Sequence, residues 1–250
     1  MSSLIITKDN FTFKDFKLSL QKPVHIGLPS EAKDSVNKSH RNLQSILTSG
    51  IPVYGVTTGF GKLSHVKINP SDQRKLQLNL VRSHAAGVGR PADKGIVRTM
   101  MILKLLTFVK GYSGVRMSVV NQIIKFLNED IVPVVPEKGS VGASGDLAQL
   151  AHMGLALIGE GEVFYKGKQT ESKLIMKSLG MVPLQLEPKE GISLINGTHY
   201  STALAIAILN YSQNLLQCAD IIGALSVESS LSSRNVFDPK IHSLKAHPGQ

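Results

Sequence analysis

A chain of 250 residues, 42% of them hydrophobic, can bury a sizeable core and is not a disordered polar chain. With Trp absent and aromatics at 5%, aliphatic residues and Met must supply most of the packing. The net charge of +10 admits nucleic acid or an acidic surface as partner. No Arg/Lys run is interleaved with aromatics, however, so the charge reads as solvated helix faces, and neither nucleic acid nor a membrane is expected as a partner.

The lone cysteine, Cys218, excludes an intrachain disulfide and a multi-cysteine metal site, and suits a reducing, cytoplasmic setting. The histidines His65, His152, His199, His242 and His247 lack metal-binding spacing, so no metal is assigned. The opening "MSSLIITKDNFTFKDF" lacks the basic-then-apolar layout of a signal peptide, and no uncharged apolar run reaches membrane-spanning length.

The first two dozen residues read as a short extended unit. A helix is expected over "PSEAKDSVNKSHRNLQSILTSG", capped by Ser30, with Val36, Leu43, Ile46 and Leu47 as its stripe and Gly50 as its end. "IPVYGVTTGFGKL" is a glycine-rich loop carrying Tyr54. "NPSDQRKLQLNLVRSHAAGVG" begins a helix with Asn69 as cap and Pro70 at the first helical position, and runs out in Gly87 and Gly89. "RPADKGIVRTMMILKLLTFVKG" repeats the scheme from Pro91 to Gly111, with a broad apolar face.

Another helix fits Arg116 to Glu129, and "DIVPVVPEKG" is extended because of its prolines. After "GSVGASG" a helix starts at Asp146. A hairpin follows with Lys166-Gly167 at its turn, then a short helix over "ESKLIMKSLG". "PLQLEPKEGISLING" reads as a loop, Thr198 to about Leu231 as one long buried helix, and the remainder as irregular. The chain is thus mainly α, with a few short strands and hairpins. Alternating βαβ units are missing, which argues against a parallel-sheet fold.

The corner Gly139–Asp146 concentrates small residues around one hydroxyl. A phosphate cradle is one reading, but no Lys-Ser/Thr follows the last glycine. A nucleophile elbow is another, but Gly145 comes one place too early for G-x-S-x-G. The third is backbone cyclisation. If the amide nitrogen of Gly145 attacks the carbonyl of Ala143, a five-membered ring closes across Ser144. Loss of water from Ser144 then leaves a conjugated methylene, an electrophile that no ordinary side chain supplies. Against these stands a plain tight turn capped by Asp146, which an isolated Ala-Ser-Gly would favour.

The tripeptide is not isolated. "GSVGASGDLAQLAHMGLALIGEGE" closely resembles the signature of the aromatic amino acid ammonia-lyases, which carry a methylidene-imidazolone (MIO) group. "YGVTTGFG", "NLVRSHAAGVGRP", "EGISLINGTH" and "HPGQ" resemble further blocks of that family in family order, from about Pro23 to Gln250. The resemblance implies a mainly α-helical fold with long central helices, and a homotetramer whose active sites combine residues of different subunits. It implies that Ala143, Ser144 and Gly145 fuse into MIO with no external cofactor. It also implies that Tyr54 is the catalytic tyrosine, that Asn196 stands beside the MIO oxygen, and that His84 occupies the substrate-side selectivity position. Ammonia leaves poorly and the neighbouring hydrogen is scarcely acidic, so an electrophile and a base are both required. A phenol titrates near pH 10, so a tyrosine base needs an environment that favours its anion.

His84-Ala85 resembles the histidine-specific members, which release urocanate and ammonia from histidine. An imidazole also suits tyrosine, and phenylalanine-specific relatives usually carry apolar residues there. Two positions depart from the family pattern: Gln149 where proline is common, and His199 where histidine-specific members usually have glutamine. Family members are about twice this length. Residues 1–250 therefore correspond to an N-terminal portion with the active-site loops, the MIO segment and the start of the helical bundle. The expected forms are a fragment of a full lyase, one half of an enzyme completed by a C-terminal half, or an inactive interaction protein.

Overall fold

The computed structural model describes residues 3–9, 11–244 and 247. The chain divides into two compact units, Met1–Ala207 and Ile208–Gln250.

The first unit is built around α4 (Lys94–Val109), which is buried on nearly every side. Val97, Met100, Met101, Ile102, Leu105, Phe108 and Val109 are almost wholly removed from solvent. A helix apolar all round must be surrounded, and α1 (Lys17–Gln21), α2 (Ser30–Thr48) and α5 (Met117–Asn128) pack on it. The α4 N-terminus is capped by Asp93, whose carboxylate accepts from the Gly95 amide at 2.7 Å. Pro91, expected to open this helix, lies instead in the strand before it. A second layer joins α3 (Gln73–His84), α6 (Leu147–Leu157) and α8 (Glu190–Ile195).

The strands are short. β1 (Ser3–Ile5) pairs in parallel with β2 (His25–Gly27), and β3 (Val88–Pro91) pairs antiparallel with β5 (Pro136–Lys138). β4 (Val132–Pro133), β6 (Glu162–Tyr165) and β7 (Lys168–Glu171) form an antiparallel three-stranded sheet. The β6–β7 turn falls on Lys166-Gly167 as expected, with φ of 48° and 81°, the two left-handed residues that a tight hairpin needs.

Several boundaries correct the reading of the sequence. The first two dozen residues are not simply extended: a 3-10 turn at Phe13–Phe16 and α1 lie between β1 and β2. Pro29, not Ser30, is the cap position of α2. The buried stripe of α2 is Ala32, Val36, Ser39 and Leu43, while Ile46 is exposed because the last turn runs past the core. Asn69 and Pro70 open a 3-10 turn, Pro70–Asp72, that leads into α3. Part of "PLQLEPKEGISLING" is helical, namely α8. It is held by the carboxylate of Glu190, 1% exposed, which accepts from Arg116 Nε at 2.8 Å and from the Arg116 and Glu187 amides at 3.0 and 2.8 Å.

The long helix exists as α9 (His199–Ser229), with α7 (Ser172–Ser178) as the expected short helix before it. It is not buried throughout: only His199, Tyr200, Ala203, Ile206 and Ala207 are. In the second unit its apolar residues stand open, Leu215, Leu216, Ile221, Ile222 and Leu225 among them. The stretch after it is also more regular than expected, with a 3-10 turn at Arg234–Phe237 and α10 (Pro239–Ser243). Pro248–Gln250 of the "HPGQ" block lie outside the described residues. Among the described residues, no helix is long and apolar enough to cross a membrane.

Candidate active site

The small-residue corner connects β5 to α6. Gly139, Gly142, Ser144 and Gly145 all have positive φ, of 146°, 71°, 69° and 102°. Ser144 is the notable one, because a side chain there meets its own backbone and is held only where the surroundings insist. Residues 142–144 form an exposed tip, whereas Gly145 and Asp146 are buried anchors. Gly145 bridges Gly197 in a short parallel contact, and the Asp146 amide donates to the Gly197 carbonyl at 2.8 Å. A Cβ on Gly145 would lie 2.2 Å from that carbonyl oxygen, so only glycine fits.

Asp146 does not cap its own helix. Its carboxylate accepts from Ser140 Oγ at 2.9 Å and from the Ser201 amide at 2.8 Å, so it ties the loop to the first turn of α9. The plain capped turn is therefore not what the chain builds: the aspartate is spent on a distant element.

Asn196 ends α8 with its side chain at the surface, one residue before Gly197. Its carbonyl accepts from Lys104 Nζ at 3.0 Å. Lys104 is completely buried in α4, and burial lowers its pKa to about 7. Beside it His199 is also buried. Its Nε2 lies 2.8 Å from Thr107 Oγ1, and its pKa falls to about 3, first from desolvation and then from Lys104. Among the described residues, His199 Nδ1 and both amide atoms of Gln149 are buried without a hydrogen-bond partner.

Tyr54 is 60% exposed, and its hydroxyl accepts from the Gly61 amide at 3.1 Å. Its ring meets Phe60 edge-on with centroids 5.8 Å apart. Gln77, fully buried on α3, fastens this loop to α8: its Nε2 donates to the Gly55 carbonyl and its Oε1 accepts from the Ile192 amide, both at 3.0 Å. His84 ends α3 with Nδ1 2.9 Å from the Leu80 carbonyl. A carbonyl only accepts, so Nδ1 carries the hydrogen and Nε2 is an acceptor in the neutral ring. The next corner reaches the 139–146 loop. The Gly87 amide donates to His152 Nε2 at 3.1 Å, and a Cβ placed on Gly139 would lie 3.1 Å from Gly87 Cα.

Gly145 is thus seated on Gly197, the residue after Asn196, while Tyr54 and His84 are tied to the same elements through Gln77 and through the β3–β5 pair. The side chains of Tyr54, His84 and Asn196 are not hydrogen-bonded to one another among the described residues. Lys104, Gln77 and the routing of Asp146 escaped sequence reasoning. For Lys104 the signal was present, as a single charge inside the apolar run "MMILKLLTFV". The arrangement fits a ring made from the backbone: an exposed tip, two pinned ends and a left-handed serine between them. Among the described residues no group of three or more His, Cys, Asp or Glu could hold a metal ion.

The chain is 43% identical over 250 residues to the histidine ammonia-lyase of Vibrio cholerae, matching all of this chain and 49% of that protein. A solved histidine ammonia-lyase from Trypanosoma cruzi superposes with a TM-score of 0.89 at 31% identity, over 99% of this chain and 47% of that one. A phenylalanine aminomutase from Pantoea agglomerans superposes at 0.90 with 27% identity, over 99% and 47%. The chain spans about half the length of the curated relatives it matches. The family model for aromatic amino acid lyases matches residues 11–250, and the chain belongs to that family.

Proposed function

We propose that this chain is the N-terminal portion of an ammonia-lyase that deaminates L-histidine to urocanate and ammonia. The observation that carries the reading is the clamp of Gly145 on Gly197, beside Asn196, with Ser144 held left-handed at an exposed tip. The 40–45% identity to histidine ammonia-lyases supports the choice of substrate.

Ala143, Ser144 and Gly145 would form the methylidene-imidazolone, which supplies an electrophile for the departing amine. Tyr54 is the base that takes the hydrogen next to the amine-bearing carbon; its exposed phenol accepts from the Gly61 amide, a contact it can leave. Asn196 donates to oxygen where negative charge collects. His84 presents Nε2 as an acceptor, which suits the N–H of a substrate imidazole. The same acceptor suits a phenol, so tyrosine is the second substrate to assay.

Turnover is proposed to need the remainder of the enzyme, as further sequence or a complementing chain in a homotetramer. The open leucines and isoleucines of α9 support this, because an apolar face of that extent wants a cover. An exposed free thiol at Cys218 is consistent with a reducing cytoplasm.

The test is the intact mass of the chain purified from its own cell, with histidine and tyrosine turnover measured beside it. A mass short by one water for ring closure and another for Ser144, restored by Ser144→Ala, is expected. An unmodified mass in that material refutes the lyase reading and leaves an inactive interaction protein.

A further inference from the structure

We infer that Lys104 is a positioning residue of this site: its Nζ donates to the Asn196 carbonyl and so sets the Asn196 side chain and the Gly197 bridge on which Gly145 rests. The inference rests on the lyase reading above and deepens it.

The placement is unusual for a lysine. Lys104 sits among Met100, Met101, Leu105 and Phe108 in α4, fully removed from solvent. A leucine or methionine would pack there without the cost of a buried polar terminus. Its Nζ lies 3.0 Å from the Asn196 carbonyl and 5.3 Å from the Phe108 ring centroid. The groups that act on its surroundings are His199, held neutral by burial, and the carboxylate of Asp146.

Asn196 is where α8 stops and the chain turns extended, with ψ of 125°. A helix end leaves carbonyls unpaired, and a fixed donor at that point decides the direction in which the chain departs. The departing residue is Gly197, at φ 140°, whose carbonyl receives the Asp146 amide and whose backbone pairs with Gly145. One buried donor therefore fixes the residue from which the proposed oxygen-binding group and the proposed electrophile both take their position. Lys104 touches neither substrate nor ring and acts through Asn196.

The experiment uses the protein in the assembly its own cell makes, with kcat normalised to the dehydrated fraction measured by intact mass. Lys104→Met keeps the length and packing of the stem and removes the donor. The expected result is a kcat lower by about tenfold or more, a KM within about twofold, and partial recovery in Lys104→Arg, which restores a cationic donor. In an Asn196→Ala background the same substitution should lower kcat by a clearly smaller factor, because the part of its effect carried by the Asn196 side chain is already gone. Should Lys104→Met fail to fold, Lys104→Gln takes its place under the same two criteria. A wild-type kcat in the variant, or an equal fold-loss with and without Asn196, overturns the inference. An undehydrated wild-type chain instead refutes the lyase reading itself, and is seen before any variant is made.

Discussion

Replacing Gly145 or Gly142 with alanine separates backbone strain from collision within one loop. Both glycines have positive φ, 102° and 71°, so either alanine carries a conformational cost of about 1–2 kcal/mol. At Gly142 nothing lies within 4 Å of the new methyl group, and the cost ends there. At Gly145 the methyl would stand 2.2 Å from the Gly197 carbonyl oxygen and 2.5 Å from its carbon, both backbone atoms. The loop must then move away, and the hydrogen bond from the Asp146 amide to that oxygen is lost with it. A buried amide left without a partner costs a further ~1–3 kcal/mol. Gly145→Ala should therefore destabilise by about 2–5 kcal/mol, against about 1–2 for Gly142→Ala. Urea unfolding with an unchanged slope reads the difference as a shift in midpoint. Intact mass adds a second reading: Gly142→Ala should keep the dehydration and Gly145→Ala should lose it. Equal midpoint shifts would show that the Gly145–Gly197 contact is not tight, and would refute the clamp.

Tyr54→Phe should lower kcat by about 10²- to 10⁴-fold while leaving the dehydrated mass intact, since the proposed base is lost while the 139–146 loop keeps its contacts; loss of the mass change would place the tyrosine in ring formation instead. Glu190→Ala should destabilise by about 3 kcal/mol, the low end for breaking a buried ion pair, because the partly exposed Arg116 side chain can still be hydrated; a midpoint shift near zero would refute the role of this pair in holding α8. His199 titrates near 3 in the folded chain against the usual 6.5, so the unfolded chain takes up the proton first as pH falls. Its contribution is complete above about pH 6.5 and is lost between there and about pH 3, at up to ~1.4 kcal/mol per pH unit. His199→Gln should flatten the acid limb of a stability–pH curve, and an unchanged limb would refute the assignment. Lys104 is also lowered, to about 7, so the unfolded chain holds the extra proton between there and the ordinary lysine range. Stability should rise with pH above about 7, and Lys104→Met should remove that rise in denaturation measured from pH 7 to 9.

Local sequence determined much of this protein. Periodicity and end signals located α2 to α6, Lys166-Gly167 announced its hairpin, and the crowding of small residues at 139–145 marked the loop where the backbone takes left-handed angles. These are properties of near neighbours, where a glycine or proline acts on its own dihedral angles whatever the rest of the chain does. Only the tertiary structure decided that Gly145 leans on Gly197, that Asp146 serves α9 and not its own helix, and that the lone charge in an apolar helix reaches the carbonyl of Asn196. It also decided that α9, apolar by composition, is buried only at its start. A hydrogen bond between residues far apart leaves no trace in the spacing of either partner, and the burial of a helix depends on what lies against it. Periodicity can name a face, but the neighbour that covers it belongs to the fold.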